Sequence, residues 1–118
     1  MTAILNLDIY RRSDFAFGIN LKDSTNANEN LTGKTILSQI WDVERTQKIE
    51  DVTTTITSAT GGNITWELSD IQTANLWDKT YAYDVLKIHA NGKRNQVVTG
   101  TITMKQGYTE EWLTMFQI

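Results

Sequence analysis

Apolar and polar residues alternate along much of this chain, and a period of two residues is typical of half-buried β-strands. The alternation predicts one strand over Ile4–Tyr10 and another over Phe15–Leu21, separate or joined through a kink at Arg11–Asp14. Further strands are predicted around Ile36–Ile40, over the β-branched run Val52–Thr57 and over Asn63–Ser69.

The last two predicted strands form a hairpin over Tyr81–Met104, around which the other strands can be arranged. Asn91-Gly92 lies between its two β-rich halves, and this dipeptide accepts the positive φ angles of a tight turn. The alternation slips phase at Val85-Leu86, which predicts a β-bulge in the first strand of the hairpin.

Three segments between the strands lack the alternation. Lys22–Asn30 holds no large apolar residue and is predicted to be a mobile surface loop. Asp42–Asp51 has no clear period, which predicts a loop or a ragged edge strand, with a short helix as the alternative. Ser69 and Gln72 stand at capping-box spacing, so a short helix crossing between sheets is predicted over Asp70–Leu76.

Together these elements predict an all-β fold, an immunoglobulin-like antiparallel β-sandwich of about seven strands with one short helical crossover and a C-terminal tail. The sandwich is assigned to residues 1–106 and the tail to residues 107–118. Trp66 is the expected centre of the core. Its expected neighbours are Phe15, Phe17, Ile36, Ile40, Ile56, Leu68, Leu76, Tyr83, Ile102 and Met104.

Composition narrows the function classes. The chain has 118 residues, enough for one domain, and its formal charge of −3 argues against a nucleic-acid or anionic-membrane footprint. The absence of cysteine removes disulfides, thiolate nucleophiles and zinc-thiolate sites. No apolar run is long enough for a membrane span. A signal peptide carries its basic residues before its apolar segment, whereas Arg11-Arg12 follows the first apolar segment of this chain. A soluble protein made in a cytoplasm is expected.

Candidate catalytic and metal-binding residues are few. His89 is the only histidine, but it stands beside the predicted turn, where a side chain is usually solvated. Gly33-Lys34-Thr35 imitates the end of a phosphate-binding loop, yet Asn28 occupies the position of its first glycine. The acidic residues Asp42, Glu44, Glu50 and Asp51 could gather around a cation, although basic residues are interleaved among them. We therefore expect no enzyme, no cofactor and no metal.

The tail is the most informative segment for function. Thr109 carries a helix-start signal, with two acidic residues after it. Large apolar residues then crowd the stretch, which predicts either a lid or last strand on its own sandwich, or a docking segment for a neighbouring subunit. The predicted partner-interface residues are Trp112, Leu113, Met115, Phe116 and Ile118.

A resemblance adds to this interpretation. The ordered pieces that carry it are Arg12–Phe17, Leu31–Thr35, Leu68-Ser69 with Thr73 and Leu76, Tyr81 with Tyr83–Val85, and Gly100–Thr103. In this order they resemble a family of tailed-bacteriophage virion proteins, the immunoglobulin-like N-terminal module of phage baseplate upper proteins and related tail or head-fibre components. The chain departs from that pattern at Trp77–Thr80, where a Gly or Pro turn is expected.

The resemblance implies a non-enzymatic structural role, most naturally in the tail or baseplate, with capsid decoration or a head fibre as the alternative. It also implies other virion proteins as partners, a homo-oligomer or symmetric assembly, and a location in virions assembled in the host cytoplasm. A different class of function, a carbohydrate-binding or host-adhesion module, would use exposed aromatic residues in one plane. Its candidates are Trp41, Trp77 and Tyr108.

Overall fold

The structure, a computed structural model, describes residues 3–106. It contains eight strands and one short helix. The N-terminal segment, which was predicted to be a single strand, forms two strands. In chain order the elements are β1 (Ala3–Ile4), β2 (Leu7–Tyr10), β3 (Phe15–Asn20), β4 (Thr35–Asp42), β5 (Lys48–Ser58), β6 (Asn63–Leu68), α1 (Asp70–Ala74), β7 (Thr80–Ile88) and β8 (Arg94–Lys105).

The strands form two sheets that share β5. In the first sheet, β1 and β2 pair with β8, followed by β7, β4 and the beginning of β5; the second sheet consists of the rest of β5, β6 and β3. The change occurs within β5, because Val52 pairs with β4 whereas Thr53 pairs with β6. This strand order confirms the predicted immunoglobulin-like β-sandwich. Two pairings depart from the antiparallel prediction, since β1 and β2 each run parallel to β8.

Trp66 lies at the centre of the core, as predicted, and is fully buried. Its indole Nε1 donates a hydrogen bond of 2.8 Å to Ser38 Oγ, which in turn donates to the carbonyl oxygen of Asp84. Burial confirms seven of the predicted neighbours, whereas Phe15, Phe17 and Ile56 are only half-buried. The seven buried ones are Ile36, Ile40, Leu68, Leu76, Tyr83, Ile102 and Met104.

Two local predictions are confirmed in detail. Ser69 caps α1, because its Oγ accepts from the Gln72 amide and the Gln72 side chain accepts from the Ser69 amide. The register of β7 against β8 shifts between Val85 and Leu86, where the phase slip predicted a bulge.

The β7–β8 hairpin is confirmed, but its turn differs from the predicted form. Gly92 has a positive φ of 87°, whereas Asn91 has none, and the Gly92 amide donates to the His89 carbonyl. The His89 amide then donates to Lys93, which is the pattern of a type I turn closed by a left-handed glycine.

The segments without alternation are also better defined in the structure. β5 begins at Lys48, so the ragged-edge interpretation of Asp42–Asp51 holds for its second half. Lys22–Asn30 lies on the surface as predicted and is organised by Asp23, whose carboxylate accepts from the amides of Thr25 and Ala27.

Gly100 allows the chain between β1 and β2 to lie close against β8. A Cβ atom at Gly100 would lie 1.9 Å from the carbonyl oxygen of Leu5, so only glycine lets the Leu5 backbone approach β8 this closely. The same carbonyl accepts a hydrogen bond of 2.6 Å from the hydroxyl of Tyr83. Within residues 3–106, no helix has the length and apolar character needed to cross a membrane.

Candidate protein-interaction site

The outer edge of β3 is open. Its inner edge pairs with β6 from Phe15–Leu68 to Asn20–Asn63, and no strand of the described residues pairs with the other edge. An unpaired strand edge presents backbone donors and acceptors to any extended chain that comes alongside.

The direction of each backbone amide of β3 follows from its antiparallel pairing with β6. The Leu21 amide, just after β3, donates to the Gly62 carbonyl at 2.8 Å, on the side of β6. Because amide direction alternates along a strand, the N–H groups of Ala16, Gly18 and Asn20 point away from β6. These three residues therefore offer donors and acceptors at the open edge.

The side chains of β3 that face the core are incompletely covered. Phe15, Phe17 and Ile19 are half-buried; they alternate with exposed residues and point between the sheets. The two phenylalanine rings lie 5.6 Å apart, and each packs on Trp66, at 5.9 Å and 5.3 Å between ring centroids. The aromatic core therefore extends to the open edge and stops there without a covering strand.

β3 also lacks the features that usually protect an edge strand. Its sequence, FAFGIN, contains no charged residue, no proline and no bulge. The outward-facing residues Ala16 and Gly18 are small, so the edge is flat and accessible. Natural sheets avoid such edges unless a partner covers them.

A cleft lies beside the C-terminal end of β3. It has a volume of about 430 Å³ and separates β3 from β1 and β8, with Ala3, Ile19, Leu21, Val97 and Val98 among its lining residues. The open edge thus leads into a space between the two sheets that is large enough to receive side chains.

Charged residues surround the mouth of this cleft. Glu29 accepts hydrogen bonds from Lys87 at 2.5 Å and from Lys34 at 3.0 Å, which hold the pKa of the Glu29 carboxyl below its usual range. Lys22 and Arg94 also line the region, against a single further carboxylate, that of Asp23. Since two lysines share Glu29, the cleft carries a surplus of positive charge although the whole chain is acidic.

The described part of the chain finishes at the end of the sandwich that lies opposite the cleft. Gln106 follows β8 there, and its side-chain oxygen accepts a hydrogen bond of 2.8 Å from Arg11. The buried Arg11 guanidinium lies 3.7 Å above the ring of Trp77, and burial lowers its pKa. The Arg11–Trp77 stack marks the point from which residues 107–118 continue.

The predicted catalytic and metal candidates are not assembled into a site. His89 Nε2 lies 2.8 Å from Asn95 Oδ1 at the mouth of the cleft. Asp42 instead stabilises its own turn, where the Thr46 hydroxyl and the Gln47 amide lower the pKa of its carboxyl. Asp51 pairs with Lys48, and Glu50 accepts from Gln72. Among residues 3–106, no group of three or more acidic, histidine or cysteine side chains could hold a metal ion.

The aromatic residues proposed for glycan binding lie in different places. Trp41 is half-buried and lines a hollow of about 160 Å³, smaller than the roughly 300 Å³ at which ligand pockets usually begin. Trp77 is 68% exposed but one face is occupied by Arg11, and Tyr108 lies outside the described residues.

The predicted interface residues Trp112, Leu113, Met115, Phe116 and Ile118 all lie outside the described residues, so their role stays a prediction. Binding through edge strands was expected, but the sequence did not identify β3 as the open edge, because alternation predicts a strand without predicting its neighbours. The signal available in the sequence was the absence of any charge between Phe15 and Leu21.

Comparisons with known proteins add no family. A scan against protein-family models and a search of curated proteins each return no match. Among solved structures, the chain is similar to the Lin-41 filamin domain, with a TM-score of 0.48, 12% identity, and coverage of 85% of this chain and 84% of that one. It is also similar to a mutant of the SrpA adhesin from Streptococcus sanguinis, with a TM-score of 0.42, 14% identity, and coverage of 92% and 59%. At these scores neither likeness carries an argument about function.

Proposed function

We propose that this protein is a non-enzymatic structural module that assembles with other subunits of a phage virion, in the tail or baseplate by preference. The observation that carries the proposal is the open edge of β3, where half-buried aromatic residues lie beside unpaired backbone groups. An edge of this kind is used for strand addition in protein recognition. The virion location rests on the sequence resemblance, and capsid decoration or a head fibre is the second location.

The sandwich and the tail have different roles in this proposal, and each role follows from the chemistry of its residues. The sandwich is a rigid spacer, because its core is continuous from Trp66 through both sheets. The apolar residues of the tail, Trp112 and Phe116 above all, are the anchors that a neighbouring subunit buries. Aromatic anchors of this type supply most of the binding free energy of protein interfaces.

The test is the mass of the purified protein in solution by light scattering, with and without Thr109–Ile118. We expect a discrete oligomer for the full chain and a monomer for the shortened chain, with the far-ultraviolet circular dichroism of a folded β-sandwich in both. A double substitution, Trp112→Asp with Phe116→Asp, is expected to have the effect of the deletion.

Ile71→Asp is the matched control, because Ile71 is an apolar residue of α1 that is 72% exposed. This variant should keep the oligomer. A full chain that is monomeric at every concentration would contradict self-assembly, and a shortened chain that unfolds would show that the tail belongs to the core of its own sandwich.

A further inference from the structure

We infer that the open edge of β3 is the receptor for the tail of a second copy of this chain, whose residues 112–118 add to it as an antiparallel strand. The inference rests on the proposed function, and it names both the receptor and the direction of the docked segment. It would place the tail's apolar residues over Phe15, Phe17 and Ile19, which the described residues leave half-covered.

The sequence of the tail fits the pattern of this edge. Between positions 112 and 118, every second residue from Trp112 onward is an aromatic, aliphatic or β-branched residue, namely Trp112, Thr114, Phe116 and Ile118. An antiparallel register that sets Ile118 opposite Phe15 sets Phe116 opposite Phe17 and Trp112 opposite Leu21. All the inward positions of the tail then meet inward positions of β3, because side chains alternate with a period of two on both strands.

The same register also pairs the outward positions and the backbone. Leu113, Met115 and Gln117 fall opposite Asn20, Gly18 and Ala16, on the solvent face of the second sheet. The outward N–H and C=O groups of Ala16, Gly18 and Asn20 would then have partners, as they would in the interior of a sheet.

Charge sets the direction of the docked segment. Glu110 and Glu111 precede Trp112, so in the antiparallel direction they would lie just beyond Leu21, at the mouth of the cleft. That mouth is lined by the cations Lys22, Lys87 and Arg94 against the carboxylates of Asp23 and Glu29, which leaves a surplus of one positive charge. In the parallel direction the two glutamates would lie at the Phe15 end, away from these cations.

The distance that the tail can span from Gln106 assigns the docked segment to a second copy of the chain. The chain's own tail continues from Gln106 at the Arg11 end, and β3 begins near that end, after Arg11, and runs toward the cleft. To lie antiparallel to β3, the tail would first have to run along the whole length of β3 toward the cleft and then reverse its direction. The six residues of β3 span about 20 Å, at about 3.3 Å each. Residues 107–112 would span that distance, and a reversal of direction would take at least about two more, which leaves only residues 115–118 to cover an edge of six residues.

Cysteine cross-linking tests this arrangement in the full chain, which has no cysteine of its own. Purified Gly18→Cys protein is mixed with Met115→Cys protein under oxidised glutathione, and non-reducing electrophoresis separates the products. We expect the mixed covalent dimer to be the main product. Thr53→Cys, on the exposed face of β5, replaces Gly18→Cys in the control mixture and should give at least about tenfold less of it.

A second pair, Ala16→Cys with Gln117→Cys, repeats the experiment in the same register in case Gly18→Cys impairs folding. A double variant, Gly18→Cys with Met115→Cys on one chain, distinguishes the two sources of the tail. Covalent oligomers from the double variant support the inference, whereas a cross-linked monomer that persists on dilution overturns it in favour of the chain's own tail.

The inference and the proposed function fail in different ways. If light scattering shows a tail-dependent oligomer but neither cysteine pair cross-links above the control, the assembly stands and β3 is not its receptor. If the wild-type chain is monomeric at every concentration and neither pair cross-links, both are overturned.

Discussion

Glu29 shows how one residue links the surface loop to the sandwich. It stands near the end of the loop that follows β3 and binds Lys34, just before β4, and Lys87 of β7. Its side chain is only 12% exposed, and those of the two lysines are 21% and 13% exposed, so solvent screens these ion pairs less than pairs on an open surface. Glu29 therefore stabilises the wall of the cleft while leaving it positively charged.

Glu29→Gln should lower the free energy of unfolding by about 1–3 kcal/mol at pH 7, because it removes charge-assisted hydrogen bonds from two half-buried lysines. The pKa of the Glu29 carboxyl is lowered in the folded chain, so its contribution is present above the usual glutamate pKa and is lost as pH falls below it. Urea unfolding at pH 7 and pH 3 measures both effects.

The variant should accordingly lose less stability than the wild type between pH 7 and pH 3. Asp51→Asn is the control, because the pair of Asp51 with Lys48 is largely exposed and should contribute less than about 0.5 kcal/mol. Equal losses for the two variants at pH 7 would contradict a stabilising role of the buried position.

Tyr83 makes stability depend on pH in the alkaline range. Burial raises the pKa of Tyr83 to about 12, whereas a tyrosine in the unfolded chain titrates near 10. A raised folded pKa means that the stabilisation is complete below pH 10 and is lost as pH rises toward 12. By pH 11.5 the loss should reach about 2 kcal/mol.

Tyr83→Phe should remove this term, so the order of stability should reverse between pH 8 and pH 11.5, with the variant becoming the more stable protein by about 1 kcal/mol at pH 11.5. At pH 8 the variant should be less stable by about 1 kcal/mol, because the Leu5 carbonyl loses its hydroxyl donor. Urea titrations at the two pH values test the prediction, and parallel declines for both proteins would refute it.

At the scale of the element, β3 is the strand whose surroundings are incomplete. Central strands of this sandwich have two neighbours and bury their inward residues, as Ile64, Trp66 and Leu68 of β6 do. The inward residues of β3 have the same apolar character but one neighbouring strand, so they remain half-exposed. This difference between equivalent positions on adjacent strands is the physical basis for assigning β3 as a binding edge.

Gly18→Pro should weaken assembly by about tenfold or more and leave the pairing of β3 with β6 intact. Proline removes the outward N–H of this position and sets its ring against the open edge, and edge strands tolerate proline where the N–H faces solvent. Light scattering across a dilution series measures the change.

Gly18→Ala is the matched control, because its Cβ would lie 3.8 Å from the Ile64 carbonyl oxygen, an ordinary contact. It should assemble as the wild type does. Assembly that survives Gly18→Pro in a folded protein would show that the edge of β3 is not used.

At the scale of the whole molecule, the two ends of the sandwich to which the proposals assign a role are separated. The tail continues from the Arg11–Trp77 end, whereas the cleft and the C-terminal end of β3 lie at the other. Two copies that exchange tails reciprocally would close a dimer, and copies that pass tails in one direction would form a ring or a filament. The mass of the wild-type oligomer distinguishes these assemblies directly.

Much of this fold follows from local sequence. The alternation around Trp66, the capping box at Ser69 and Gln72, and the phase slip at Val85 each act within a few residues, so each can be recognised without the rest of the chain. The predicted core was also mostly right, because a half-buried strand must turn its apolar residues inward.

What neighbours a strand, by contrast, depends on residues far apart in the chain. Tyr83 meets the Leu5 carbonyl across 78 positions, and Lys87 meets Glu29 across 58, so no local pattern contains these contacts. The parallel pairing of β1 and β2 with β8, the passage of β5 between sheets and the open edge of β3 are of the same kind. The order of hydrophobic and polar residues specifies which segments become strands and which face each one buries. Packing among distant strands specifies which edge is left unpaired, and that edge is where the candidate site lies.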